Sequence, residues 1–279
     1  EIEQDMIEKS VSVNIKSRTT TARLPLIHDP LIKLAPNRNK AEKVYNQQLR
    51  KLNKNDSDKK DVIKSEAKLQ ELGHVDFVRN LDEKIQKDLM NNKVQNFIPW
   101  RCVWKDNSIS TPCRMVFDAS QPTNTGFSLN DILAKGRNNM NKLVEVFIRW
   151  RSYQVGIHTD IKKMYNTVKL NPEHWCLQRY LWQDELDENK PPEEKIIKTL
   201  IYGVKSSGNQ AENGLRRTAN ASKQQYPEVN EMILKDVYVD DCLTGEATKE
   251  KAMKRADEIE LVVLHWWWWF CNKKSYHVC

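Results

Sequence analysis

The sequence predicts an α+β fold: an antiparallel sheet with helices packed on one face. Three observations predict it. From Gln154 onward the chain reads as strand, short helix, two or three strands, helix, hairpin and helix, and no internal repeat interrupts that order. The run Val237-Tyr238-Val239-Asp240-Asp241-Cys242-Leu243 is apolar and β-prone on both sides of an acidic pair, the pattern of a strand, a tight turn and a second strand. Val155-Gly156-Ile157-His158-Thr159-Asp160 is a short strand that ends on another aspartate. Elements of one sheet tend to be spatial neighbours, so Asp160 and Asp240 are expected on adjacent strands.

Composition narrows the class. The 279 residues suffice for one large or two modest domains with a core. Only 39% are hydrophobic and 30% are charged, no apolar run reaches membrane-spanning length, and the N-terminus has no secretory-signal pattern. An intracellular, cytoplasmic protein that is not secreted and has no membrane partner is the expectation. Lys and Arg number 45 against 38 Asp and Glu, a net charge of +7 that suits a polyanionic partner without requiring one. Cys102, Cys113, Cys176, Cys242, Cys271 and Cys279 form no C-x-x-C pair and no zinc-type spacing with histidine, so reduced thiols are expected.

The elements follow in order. Residues 1–23 are polar and without periodicity, which reads as a linker or a polyprotein-derived tail. Two helices are predicted between Asn39 and Leu72, broken at Asn53-Lys54-Asn55-Asp56-Ser57, with Gly73 as the C-terminal cap of the second. Val75 to Asn92 is mixed and highly charged. Arg101 to Trp104 and Cys113 to Phe117 are strands around a polar turn at Lys105-Asp106-Asn107-Ser108, and Ser128 is placed to cap a helix start. An amphipathic helix runs through Leu143, Val146, Phe147 and Trp150. After the Asp160 strand come strands at Val168–Leu170, Gln178–Trp182 and Ile196–Tyr202, a helix from Ser206 to about Gln225, the acidic hairpin, and a helix from Thr248 to about Val263.

Adjacent carboxylates repel, so a hairpin tip carrying Asp240 and Asp241 is stabilised by a cation, and Mg²⁺ takes hard oxygen ligands. A solvated Asp-Asp turn is the commoner meaning of such a pair. The third placed acid, Asp160, shifts the balance: an Asp after one strand and an Asp-Asp hairpin after a helix is the order a two-metal nucleotidyl-transfer site needs. His158, two residues before Asp160, reads as a packing residue rather than a metal ligand.

At this point the residues resemble a known family. Tyr238-Val239-Asp240-Asp241 resembles the Y-x-D-D motif of reverse transcriptases, and Asp160-Ile161-Lys162-Lys163-Met164-Tyr165 their first catalytic motif. Arg114-Met115-Val116-Phe117-Asp118-Ala119-Ser120, Ser128-Leu129-Asn130-Asp131 and Gln178-Arg179-Tyr180-Leu181-Trp182 are similar, more narrowly, to the polymerase of Pao/BEL long-terminal-repeat retrotransposons. The resemblance covers roughly residues 24 to 260, and several motifs in order make it specific.

The resemblance implies a right-hand polymerase: fingers and an N-terminal helical region over 24–153, palm over 154–264, and a degenerate tail at 265–279 where a primer grip and thumb would begin. It implies RNA-directed DNA synthesis with catalytic Asp160, Asp240 and Asp241, and two Mg²⁺ ions, replaceable by Mn²⁺, at Asp160, Ile161, Asp240 and Asp241. The partners it implies are an RNA or DNA primer-template, dNTPs and other gag or pol polyprotein segments, in a cytoplasmic virus-like particle.

For the nucleotide it implies Lys105, Arg114, Tyr165 and Gly203. Tyr165 would exclude a 2′-hydroxyl by steric clash, although a tyrosine on a core-facing helix turn is an equal reading of the residue alone. Arg114 would stack on the base and contact phosphates, and Lys105 would neutralise the γ-phosphate, against the alternative of a solvated turn lysine. Gly203 would permit close backbone approach. Two departures stand out: Gly208 where the family carries proline, and the run Trp266-Trp267-Trp268-Trp269 where it reads into the primer-grip hairpin. The alternative from another class is a catalytically incompetent nucleic-acid-binding relic of a pol fragment.

Overall fold

The computed structural model describes residues 1–104, 113–161, 163–266 and 276–278, with side chains described as far as residue 263. Lys105 and its turn, Lys162, and Trp267 to Trp269 lie outside the described residues. The fold is α+β, but its strands form several small antiparallel sheets instead of the single sheet expected. The chain divides into two compact units: Glu1–Ala22 with Lys135–Lys169 and Gly208–Cys279, and Arg23–Ala134 with Leu170–Ser207. The strand expected at Gln178–Trp182 lies in the second unit as Arg179–Trp182, and the one expected over Ile196–Tyr202 is instead Glu193–Ile197, also in the second unit.

In the first unit the N-terminal residues are not a linker. Ile2–Ser10 is a helix, and Val11–Asn14 pairs antiparallel with Thr19–Ala22. Ile7, Val11, Thr20 and Ala22 are buried, so a few well-spaced small or apolar side chains anchor a segment that is polar on average. Asn14 closes the turn by accepting the N–H groups of Lys16 and Ser17 through its side-chain oxygen.

The central sheet of this unit places Val155–Asp160 between Asp241–Glu246 and Tyr276–Val278, with Val237–Tyr238 at the far edge. The ladder between the first two runs over six register pairs, from Asp241 opposite Asp160 to Glu246 opposite Val155. Strand alternation sends Ile157 to one face, where it packs on Ala252 and Ala256 of the helix Lys249–Trp266. Small residues on that helix let it approach the strand closely.

On the other face Gly156 and Gly245 are register partners. A Cβ on Gly156 would lie 2.9 Å from the Trp150 indole nitrogen, and one on Gly245 2.5 Å from Tyr153 Cβ. The paired glycines bare the backbone against the C-terminal end of the helix Leu143–Ser152 and the residue after it.

A helix at Pro227–Asp236, which the periodicity reading passed over, leads directly into the hairpin and ends on a buried acid. Asp236 accepts from Arg149 Nε and from the Thr244 hydroxyl, both at 2.9 Å. Arg149 also donates to the Lys235 carbonyl, and Asn141 donates to the carbonyls of Leu234 and Val237. The root of the hairpin is thus tied to its own second strand and to two other segments.

The second unit pairs Glu193–Ile197 with Val75–Phe77 on one side and Arg179–Trp182 on the other, beside the helices Arg38–Leu52 and Asp56–Glu71. Both helices match the periodicity, and Gly73 follows the second with φ +69°, the left-handed conformation of a C-terminal cap. Glu66, on the second helix, accepts from Tyr180 and from Lys195, each at 2.7 Å, so its buried charge is met by a cation and a hydroxyl. Trp100–Trp104 and Cys113–Phe117 form a two-stranded ribbon as expected. Where a helix start was expected after Ser128, the chain makes a single 3₁₀ turn, Asn130–Ile132.

The Asp236 anchor gives a test. Arg149→Ala leaves a buried carboxylate without its cation. It should lower unfolding stability by about 2–3 kcal/mol, below the full loss seen for buried pairs because Arg149 is partly exposed. Arg149→Ala combined with Asp236→Asn should recover part of that loss in chemical denaturation.

Candidate catalytic carboxylate site

Asp160 and Asp241 stand directly opposite one another as Cα partners at the end of the ladder. Asp240 is one residue away on the two-residue turn Val239-Asp240 that joins Val237–Tyr238 to Asp241–Glu246. The main chain fixes that turn, because the Ile161 N–H donates to the Asp240 carbonyl at 2.7 Å. The motif at Asp160-Ile161 and the motif at Asp240-Asp241 are therefore joined by a register pair and a backbone hydrogen bond. Asp160 is exposed and the other two acids are half-buried. Among the described residues no group of three or more His, Cys, Asp or Glu side chains is drawn together into a metal cluster.

The turn is strained. Val239 has φ +56°, a conformation that β-branched side chains rarely adopt. It persists because the ladder on one side and the Ile161 bond on the other fix both ends of the turn. The positive φ lets two residues reverse the chain.

His158 has a different role from the packing one expected. It shares a face with Asp160, two residues away on a regular strand, and its Nε2 lies 2.9 Å from Asp241 Oδ1. Both side chains remain nearly half exposed. The imidazole orients Asp241 and offsets part of the repulsion between the opposed acids. The period of two along Val155–Asp160 was the signal that could have found it.

Tyr165 comes from the short 3₁₀ turn Met164–Thr167, which Lys163 enters in the left-handed conformation at φ +51°. Met164 is buried and holds the turn in place. The Tyr165 hydroxyl is held above its ordinary pKa, first by burial and then by the negative charges of Asp240 and Glu212. The ring therefore lies within the electrostatic reach of the hairpin tip.

Arg114 and Gly203 lie in the second unit. Arg114 is exposed on the ribbon, at the register position opposite Val103. Gly203 has φ +103°, and a Cβ there would fall 2.0 Å from the Phe117 carbonyl oxygen, so the close approach it permits is to this protein's own backbone. Asn130 stitches the same region. Its side chain donates to the Gly203 carbonyl at 2.9 Å and to the Ser120 hydroxyl at 2.8 Å, and accepts the Lys205 N–H at 2.8 Å. Sequence reading treated Asn130 only as part of a helix start.

Compared with models of known protein families, the chain matches none, and no curated protein sequence matches it.

The strain at Val239 is testable. Val239→Gly removes the steric penalty of the positive φ and should raise unfolding stability by about 1 kcal/mol, net of the entropy glycine adds to the unfolded chain. Thermal unfolding of the two proteins reads the sign directly.

Proposed function

We propose that this chain is the fingers and palm portion of a Pao/BEL-type reverse transcriptase that extends a primer by transferring deoxynucleotides. One observation carries the reading. The two motifs that resemble the catalytic motifs of that family, distant in sequence, meet as the register pair Asp160–Asp241, with Asp240 on the adjoining turn. Nothing in the packing of the sheet calls for acids at three neighbouring positions, and their mutual repulsion weighs against the arrangement unless it is used.

The chemistry of the donors suits a hard divalent cation, although among the described residues their side chains are not drawn together into a cluster. Asp160 and Asp241 are Cα partners, none of the three acids is sealed from water, and Asp241 has an oxygen besides the one that His158 engages. Asp160, Asp240 and Asp241, with Ile161 beside them, would hold Mg²⁺ or Mn²⁺. Bound there, the ions supply positive charge that favours ionisation of a primer hydroxyl and offsets charge on the phosphates. In this reading the His158 imidazole orients Asp241, the strained turn presents Asp240, and the Tyr165 ring stands where a ribose 2′-hydroxyl would collide. Arg114 and Lys105 keep nucleotide roles on the sequence resemblance alone, whereas the space over Gly203 is taken by the Phe117 carbonyl.

The second reading, a chain that binds nucleic acid without turnover, is favoured by the His158–Asp241 hydrogen bond, since a histidine committed to that carboxylate competes with a cation for it. Titrating Mg²⁺ or Mn²⁺ during thermal unfolding separates the two. At ten times the dissociation constant a single site raises stability by about 1.4 kcal/mol. The wild-type chain should show this, and Asp160→Asn and Asp241→Asn should each lose it. Equal stabilisation of all three proteins, or none of any, rejects the metal site.

A further inference from the structure

We propose that Gly208 is the seat of the Tyr165 hydroxyl and, through it, a positioning residue for sugar selection; the second clause rests on the polymerase reading above. Gly208 is the second residue of the helix Ser207–Ala221. Its backbone does not require glycine, since Gly208 is not among the positive-φ glycines. What requires glycine is the space over its Cα. A Cβ there would lie 2.8 Å from the Tyr165 hydroxyl oxygen, closer than carbon and oxygen tolerate, but 3.5 Å from Cζ, an ordinary contact. The conflict is with one atom, the phenolic oxygen. A phenylalanine at 165 would remove it.

The ring cannot escape cheaply. Tyrosine is rigid beyond χ1 and χ2, so moving its oxygen tilts the whole ring, and this ring is partly buried at the end of a turn fixed by buried Met164 and by Lys163 in the left-handed region. The helix start and the tyrosine are thus a matched pair. The absent side chain at 208, which the sequence presented as a departure from a proline pattern, is what admits a hydroxylated ring at 165. Proline at 208 would bring a Cβ to the same place, so it is compatible with phenylalanine at 165 and not with this tyrosine.

The sign of a substitution tests the seat. Without the contact, Gly208→Ala should stabilise, because alanine restricts the unfolded chain and favours helix. With it, Gly208→Ala should lower Tm by about 3–8 °C. In the Tyr165→Phe background the same Gly208→Ala change should leave Tm unchanged or raise it. A fall in Tm that disappears or reverses in the Tyr165→Phe background establishes the seat; an equal fall in both backgrounds, or no fall with Tyr165 in place, overturns it, whatever the chain's activity.

Sugar selection is read separately, as the ratio of dNTP to rNTP incorporation on a primer-template. Gly208→Ala should change that ratio by about 10-fold or more through tilt of the ring, and Gly208→Ala/Tyr165→Phe should match Tyr165→Phe alone. A ratio unchanged in Gly208→Ala overturns the positioning role. Wild-type protein that incorporates neither nucleotide rejects the polymerase reading and with it sugar selection, while the Tm reversal still decides the seat.

Discussion

The ladder between Val155–Asp160 and Asp241–Glu246 is the constraint on which the rest of the first unit depends. A shift of one residue would turn Ile157 away from the helix Lys249–Trp266 and would bring His158 and Asp160 towards it. Two features forbid the slip. The glycine pair at 156 and 245 accepts the close approach of Trp150 and Tyr153 only in this register. The Ile161 hydrogen bond to the Asp240 carbonyl closes the end of the ladder. The buried Asp236, held by Arg149 and Thr244, fixes where the hairpin starts.

The electrostatics follow from that geometry. Setting Asp160 against Asp241 with Asp240 adjoining is unfavourable by itself, and the chain offsets it in two ways. His158 shares a hydrogen bond with Asp241, and the acids stay in contact with water, where like charges interact weakly. Behind them Cys242 is fully buried, its thiol pushed up to about 12 by burial and then by the charges of Asp236 and Asp241. The boundary between wet, charged surface and dry core therefore falls between consecutive residues of one strand.

Much of this was legible in the sequence, for reasons that can be named. Strong alternation and an acidic tip marked the Val237–Leu243 hairpin, and a helical period with a glycine stop marked the two helices up to Gly73. What escaped detection depended on pairing at a distance. The N-terminal residues looked like a linker because threonines and single apolar residues form their buried side. Arg179–Trp182 matches its expected strand and Glu193–Ile197 starts and ends earlier than the expected Ile196–Tyr202, but nothing local says that they pair with each other and with Val75–Phe77 instead of with the Asp160 strand. Gly203 and Gly208 both drew notice, yet the atoms that explain them, the Phe117 carbonyl and the Tyr165 hydroxyl, lie far off in sequence. His158 was visible as a neighbour of Asp160, but its partner across the ladder was not.

The central claim is that the register-paired acids are a nucleotidyl-transfer centre. Its most direct test is extension of a labelled DNA primer on an RNA template with dNTPs and Mg²⁺, comparing wild-type protein with Asp160→Asn at equal primer-template occupancy. The account predicts added nucleotides with the wild type and none with the variant. Wild-type protein that binds the primer-template and adds no nucleotide, or a variant that extends as well as the wild type, would contradict it.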